Sequence, residues 1–156
     1  MTDETPRPSF LVIIPPPVWA LAFILIVWVA GLALQLETPL RHTIAGGIVF
    51  VLGFLVSASG RAAFAKVGTE VRPASKENST LVTNGPFRFT RNPMYVGILV
   101  ATVGLSFLIG TRLAVVAPVI FFLFVNFISI PYEEAKMERQ FGDDYRAYKA
   151  RVRRWL

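Results

Sequence analysis

Four uncharged stretches, each long enough to cross a lipid bilayer, constrain this chain more than any other feature. They comprise residues 8–36, 43–60, 92–111 and 113–132. A membrane-spanning helix needs about 20 mainly apolar residues, so the sequence predicts four such helices. We place them at about residues 15–35, 43–62, 93–109 and 113–130. A hydrophobic share of 54% in a chain of 156 residues agrees with this interpretation and argues against an ordinary soluble domain.

The distribution of basic residues predicts how these helices are oriented. The N-terminus, residues 61–91 and the tail together hold 14 of the 16 lysine and arginine residues, and the other side holds Arg41 and Arg112. Because short loops rich in basic residues stay in the cytoplasm, we expect both termini there, in a prokaryotic cell membrane. We attribute the net charge of +6 to this topology and to contact with membrane lipids, and we expect no nucleic-acid partner.

The predicted fold is one all-α integral membrane domain, residues 1–156, with four transmembrane helices and a cytoplasmic C-terminal helical tail at residues 131–156. The absence of cysteine excludes disulfides, thiolate metal sites and a cysteine nucleophile, and we expect no metal. Small residues recur in the second and third helices, where they permit close helix packing and also allow a homodimer. They are Gly46, Gly47, Gly53, Ser57 and Gly60, then Gly97, Ala101 and Gly104.

The stretch NGPFRFTRNPMYVG, residues 84–97, precedes and opens the third helix. Asn92 is a suitable N-cap and Pro93 suits the first helical position, so we expect the helix to begin there. The free backbone N–H groups of a helix start attract anions. Arg88 and Arg91 arrive just before this point, and Tyr95 lies one turn into the helix. The two arginines are either positive-inside anchors or part of a site for a carboxylate or phosphate.

The tail contains acidic and aromatic residues that complement this stretch. In IPYEEAKMERQFG, Glu133 and Glu134 fall in the first turn of a predicted helix, which suits the helix dipole. Gly142 is expected to end that helix, and Tyr145 and Tyr148 follow in YRAYKARVRRWL. A tail of this kind is also typical of an amphipathic helix on anionic lipid, with Trp155 as an interfacial anchor.

At these residues the sequence resembles the isoprenylcysteine carboxyl methyltransferase family, which is grouped with the phospholipid methyltransferases. The resemblance covers residues 81–156 and depends on the order R-x-N-P-x-Y-x-x-G, a hydrophobic helix, E-E and F-G-x-x-Y-x-x-Y. It implies S-adenosylmethionine as the methyl donor, bound at the cytoplasmic face. The residues implied are Arg91, Asn92, Pro93, Tyr95, Gly97, Glu133, Glu134, Tyr145 and Tyr148. Many members have histidine at the position of Asn92, and several have arginine near the position of Ser129.

The charges of such a donor agree with this assignment. Its carboxylate suits Arg88 or Arg91, and its ammonium or ribose suits a glutamate. Its sulfonium cation favours aromatic faces such as those of the tail tyrosines. A carboxylate acceptor needs no base, whereas an amine acceptor must lose a proton, with Glu133 or Glu134 as the candidate base. We therefore name Arg91, Glu133 and Glu134 as candidate catalytic residues, and we expect a hydrophobic or lipid-like acceptor entering from the bilayer.

Two alternatives come from other functional classes. Membrane reductases of the sterol-reductase type have a similar C-terminal half and use NADPH, but they are longer. A non-enzymatic membrane scaffold is the second alternative, because the polar segments are short. Binding of S-adenosylmethionine, of NADPH or of neither would distinguish the three.

Overall fold

The computed structural model describes residues 10–66 and 80–156, and these residues form helices and connecting turns without a β-strand. Residues 67–79, which belong to the basic segment 61–91, and the first nine residues lie outside this description. The α-helices are α1 (Phe10–Ile13), α2 (Pro16–Ala33), α3 (Thr43–Lys66), α4 (Pro93–Ile109), α5 (Val116–Phe124) and α6 (Ile130–Arg151). Short 3-10 helices cover Gly85–Arg88 and Arg112–Val115, and a π-helical turn covers Val125–Ser129.

The predicted all-α membrane fold class is confirmed. Within the described ranges, α2, α3 and the helical segment Arg112–Arg151 are long and apolar enough to cross a membrane. The 17-residue α4 is a shorter apolar helix, at the lower limit of about 17 residues for a spanning helix. Many large side chains of α2 and α3 are exposed, including Leu21, Ile26 and Phe54, as expected for surfaces that face lipid.

The closest helix packing joins α3 to α4 through glycine. A Cβ atom added to Gly53 would collide with the backbone of Ala101, and one added to Gly97 would collide with the backbone of Ser57. A Cβ atom added to Gly104 would likewise collide with the backbone of Phe50. Backbones this close are possible only where side chains are absent, so the predicted packing role is confirmed for these three glycines, whereas Gly47 has no neighbour within 4 Å of an added Cβ atom and does not share it.

The fourth predicted helix does not end before the tail, and here the sequence interpretation was wrong. The chain stays helical through α5, the π-turn and α6, up to Arg151. Pro131 is the second residue of α6, and because it has no N–H, one carbonyl of the preceding π-turn lacks its helical partner. By composition, the apolar residues 113–130 are the part of this helical segment suited to cross a membrane, and charged residues begin at Glu133. The expected break at Gly142 is present, with φ 52° inside α6.

The start of α4 lies beside the start of α6, because a buried cluster joins the helices there. Tyr95 of α4 packs with Phe121, Val125 and Ile130. The chain leaves α6 after Arg151 with extended backbone at Val152 (φ −119°, ψ 132°). We call residues 152–156 the C-terminal strap.

Candidate functional site

Arg91 and Glu134 form a buried ion pair between the loop before α4 and the first turns of α6. Arg91 Nη2 donates to Glu134 Oε1 at 2.6 Å and Nε donates to the same oxygen at 3.2 Å. The two side chains are only 9% and 8% exposed. Arg91 Nη1 also donates to the carbonyls of Val152 at 2.6 Å and Lys149 at 3.3 Å. Arg91 therefore joins the acidic pair to the end of the tail.

Arg154 of the C-terminal strap binds the same carboxylate from its other side. Its Nη2 donates to Glu134 Oε2 at 2.8 Å and its Nε donates to Oε1 at 3.3 Å. Burial raises the pKa of Glu134, but the hydrogen bonds from Arg154 and Arg91 outweigh burial and the net pKa is lowered. Glu134 is therefore held as an anion. We call Arg91, Glu134 and Arg154 the arginine–glutamate network.

Glu133 has a different environment from its neighbour. The hydroxyl of Tyr95 donates to Glu133 Oε1 at 2.6 Å, and this bond links α4 to α6. Burial raises the pKa of Glu133 to about 7, although the Tyr95 hydrogen bond and the charge of Lys136 oppose the rise. Adjacent glutamates thus have pKa values shifted in opposite directions, a pattern that often separates acid–base groups from structural anions.

Asn92 does not cap α4 with its side chain, contrary to the prediction. It occupies the position before Pro93, but its side chain makes no capping hydrogen bond. Its Nδ2 group instead donates to the carbonyl of Arg154 at 2.9 Å. The amide nitrogen faces the strap, where a backbone carbonyl accepts its hydrogen bond. Asn92 therefore holds the strap against the loop.

Tyr145 and Tyr148 lie in a packing cluster with Val82 and Phe87. The hydroxyl of Tyr148 donates to the carbonyl of Phe87 at 2.8 Å, and burial raises the pKa of Tyr148 to about 12. Both tyrosines are buried, with 4% exposure. In this arrangement they support the loop that precedes α4.

Two further predicted residues lie outside the arginine–glutamate network. The side chain of Arg88 is exposed, and within the described residues it makes none of the network contacts. Gly97 is buried where α4 meets α3, which gives it a role in helix packing. The predicted residues that the structure brings together are Arg91, Asn92, Pro93, Tyr95, Glu133 and Glu134.

Sequence reasoning missed four residues that complete this region. Thr90 Oγ1 donates to the carbonyl of Arg154 at 3.0 Å and accepts from the backbone N–H of Asn92 at 3.1 Å. Trp155 Nε1 donates to Asn126 Oδ1 at 3.0 Å, so Trp155 turns back onto the helices instead of pointing away as an anchor. The missed residues are Thr90, Asn126, Arg154 and Trp155. Only Asn126, a polar residue within an apolar stretch, carried a signal in the sequence.

An apolar cleft lies away from this region. A groove of about 430 Å³ between α2 and α4 is lined mainly by apolar side chains such as Leu25 and Leu108, with Arg41 at its edge. The groove lies near the C-terminal end of α4, whereas Arg91 precedes the N-terminal end of that helix. The groove has the apolar surface expected of a lipid-facing recess, and the polar groups suited to chemistry are at the opposite end of the helix.

Comparison with known proteins agrees with the geometry. The family model of phospholipid methyltransferases matches residues 40–144, which is more than half of the chain and includes both glutamates. An uncharacterized protein of Haemophilus influenzae is 41% identical over 63 residues, which cover 40% of this chain and all of that protein. No solved structure matches. The chain therefore belongs to the phospholipid methyltransferase family, and its family and apolar helices identify it as a membrane methyltransferase.

Proposed function

We propose that this membrane methyltransferase uses S-adenosylmethionine to methylate a hydrophobic or lipid-like acceptor at the cytoplasmic face. The observation that carries the proposal is the pair of adjacent glutamates at the start of α6. Glu134 is bound by two arginines, whereas Glu133 is bound by the hydroxyl of Tyr95. The family match favours methyl transfer over the reductase and scaffold alternatives.

The residues present suit the proposed donor. A donor with a carboxylate, an ammonium and a sulfonium needs both cationic and anionic partners, and Arg91, Arg154, Glu133 and Glu134 provide both signs of charge within one region. Arg91 and Arg154 suit the carboxylate, and the glutamates suit the ammonium or ribose. When bound, S-adenosylmethionine supplies an electrophilic methyl group. Most of the help that the protein gives is then alignment of the acceptor.

The two glutamates are suited to different tasks. Glu134 is held as an anion by two arginines, so it positions charge and is a poor proton acceptor. Glu133, with a pKa near 7, is half protonated close to neutral pH, which suits exchange of a proton with an acceptor. An amine acceptor arrives as an ammonium ion and must lose a proton before it can react. We therefore assign Glu133 as the general base.

This assignment favours an amine acceptor over a carboxylate. Glu133, when ionised, would attract an ammonium group and accept its proton. A carboxylate acceptor would have no use for a base. The exposed apolar surface of the helices suits an acceptor with hydrocarbon chains that reaches the site from the bilayer.

Calorimetric titration of the purified protein with S-adenosylmethionine, S-adenosylhomocysteine and NADPH tests the donor. We expect the first two to bind and NADPH not to bind, and binding of NADPH alone would reverse the assignment. Transfer of labelled methyl groups to a membrane-lipid extract then tests the acceptor. Labelled products with a methylated amine would support the proposal, whereas methyl esters would contradict the amine assignment.

A matched pair of variants tests the base. Glu133→Gln removes the proton acceptor, and we expect it to lower kcat by about 10²-fold or more, since general bases typically contribute about 10²–10⁴-fold. Glu138→Gln alters a partly exposed glutamate of the same helix, whose ion pair with Lys149 has a separation of 3.5 Å. We expect that variant to retain its rate. An equal rate in both variants would contradict the role of Glu133.

A further inference from the structure

Asn126 lies in an apolar segment, where a polar side chain is destabilising unless it has a hydrogen-bond partner. It occupies the π-helical turn between Val125 and Phe127, within the apolar membrane-spanning part of the helix. A buried amide without partners loses hydrogen bonds to water and gains none in return. π-helical turns interrupt the regular helix ladder and are frequent at functional sites.

The partners of Asn126 come from the C-terminal strap. Its Oδ1 accepts a hydrogen bond from Trp155 Nε1 at 3.0 Å, and Arg154 Nη1 lies 3.5 Å from the same oxygen. The indole ring of Trp155 also packs on Phe122, with ring centroids 5.1 Å apart. One amide oxygen therefore receives donors from two consecutive residues of the strap.

The backbone of Asn126 reinforces this contact. Arg154 Nη1 lies 3.4 Å from the carbonyl oxygen of Asn126. In a π-turn that carbonyl would bond the N–H five residues later, which is the position of Pro131. Proline has no N–H, so this carbonyl is available to Arg154. The π-turn and the proline together create an acceptor for the strap.

We propose that Asn126 is a positioning residue for the donor site, which acts by holding the C-terminal strap in place; this inference rests on the proposed function. Two sets of contacts hold the strap, and the first of them lies at the site. Arg91 N donates to the carbonyl of Arg153 at 2.9 Å, and Arg154 binds Glu134 from the side opposite to Arg91. Asn126 and Trp155 provide the second set, on the membrane-spanning helix.

Release of the strap would change the site directly. Arg91 Nη1 would lose the carbonyl of Val152 as its acceptor, and Glu134 would retain one arginine in place of two. The proposed function assigns the side chains of Arg91 and Glu134 to binding of the donor. Asn126 therefore influences donor binding through Arg154 and Trp155, without a contact of its own to the donor.

Fluorescence of Trp155 measures the position of the strap without any ligand. The chain has three tryptophans, so Trp19→Phe with Trp28→Phe leaves Trp155 as the single fluorophore. In this background we expect Asn126→Leu, which removes the acceptor oxygen at similar size, to increase acrylamide quenching and shift emission to longer wavelength. Asn126→Asp retains an oxygen acceptor and should keep Trp155 protected. Phe127→Leu, at an exposed neighbour on the same turn, is the control and should change nothing.

Calorimetric titration with S-adenosylmethionine completes the test. We expect Asn126→Leu to raise the Kd of the donor about tenfold, the lower limit for loss of a hydrogen bond to a charged group. In assays the KM for the donor should rise while kcat changes little. Unchanged quenching in Asn126→Leu, or increased quenching in Asn126→Asp, would overturn the proposal. A raised Kd with Trp155 still protected would also overturn it, because Asn126 would then act on the donor directly.

Different measurements would contradict the proposed function and the proposed role of Asn126. If the unmodified protein binds no S-adenosylmethionine, the donor assignment and with it the positioning role are wrong. The quenching of Trp155 in the Asn126 variants would still decide whether Asn126 holds the strap, since that measurement uses no donor.

Discussion

At the scale of single residues, burial raises the pKa of Glu133 and the hydroxyl of Tyr95 limits that rise. Its hydrogen bond stabilises the carboxylate and so opposes the rise in pKa that burial causes. A base must be ionised to accept a proton, so the rate of amine methylation should increase as the pH rises through about 7. Tyr95→Phe removes the hydrogen bond and should move this increase to higher pH, while the maximum rate at high pH is largely retained.

A pH profile of kcat for the unmodified protein and for Tyr95→Phe measures this effect. Tyr148→Phe is a suitable control, because its hydroxyl bonds the carbonyl of Phe87 and not a carboxylate. A profile that falls as the pH rises through 7, or one that Tyr95→Phe moves to lower pH, would contradict the assignment of Glu133 as a base.

The sequence identified the residue types of the site better than their partners. Arg91 and Glu134 were predicted to bind a donor, and the structure pairs them with each other. Arg154 shares Glu134 with Arg91, but no spacing rule places it there, because the strap turns back only after α6 has ended. Asn92 was predicted to cap α4 from its position next to the helix, but its side chain binds the carbonyl of Arg154, 62 residues further along the chain.

At the scale of helices, glycine allows α3 and α4 to pack with their backbones in contact. Gly53→Ala would place a methyl group against the backbone of Ala101, and backbone cannot move aside as a side chain can. We expect Gly53→Ala to destabilise the protein by about 1–3 kcal/mol, the usual cost of overpacking. Thermal unfolding in detergent measures this effect as a lowered Tm.

Gly47→Ala is the matched control for that measurement. Gly47 lies on the same helix, and a Cβ atom added there would meet nothing within 4 Å. Alanine is favoured over glycine in a helix by about 1 kcal/mol, so this variant should be neutral or slightly more stable. Equal Tm values for the two variants would show that α3 and α4 do not pack through Gly53.

Hydrophobicity predicted the helices well, but it could not predict how the last of them continues. The third predicted helix begins at Pro93 and ends at Ile109, as expected. The sequence predicted a spanning helix up to residue 130 and a separate tail from residue 131 onward. In the structure the π-turn at Val125–Ser129 precedes Pro131, and the helix continues past this proline into the polar tail.

At the scale of the whole molecule, the site depends on parts of the chain that lie far apart in sequence. The loop before α4, the first turn of α6 and the C-terminal strap meet at one end of the bundle. The sequence predicted that the loop and tail work together, because one is mainly cationic and the other acidic and aromatic. It could not predict that the strap contacts both the loop and the π-turn, since those contacts use backbone carbonyls and one amide.

The orientation of the whole molecule remains a prediction, and the composition of the chain offers a direct test. The chain has no cysteine, so any introduced cysteine is the only thiol that a membrane-impermeant maleimide can label. Asp143 has a side chain that is 95% exposed, and Glu37 is exposed in the connection between α2 and α3. Because basic residues are concentrated on the side of the tail, Asp143→Cys should be labelled only from the cytoplasm and Glu37→Cys only from outside. Labelling of Asp143→Cys in intact cells would place the site on the side away from a donor made in the cytoplasm, and the proposed cytoplasmic reaction would then be wrong.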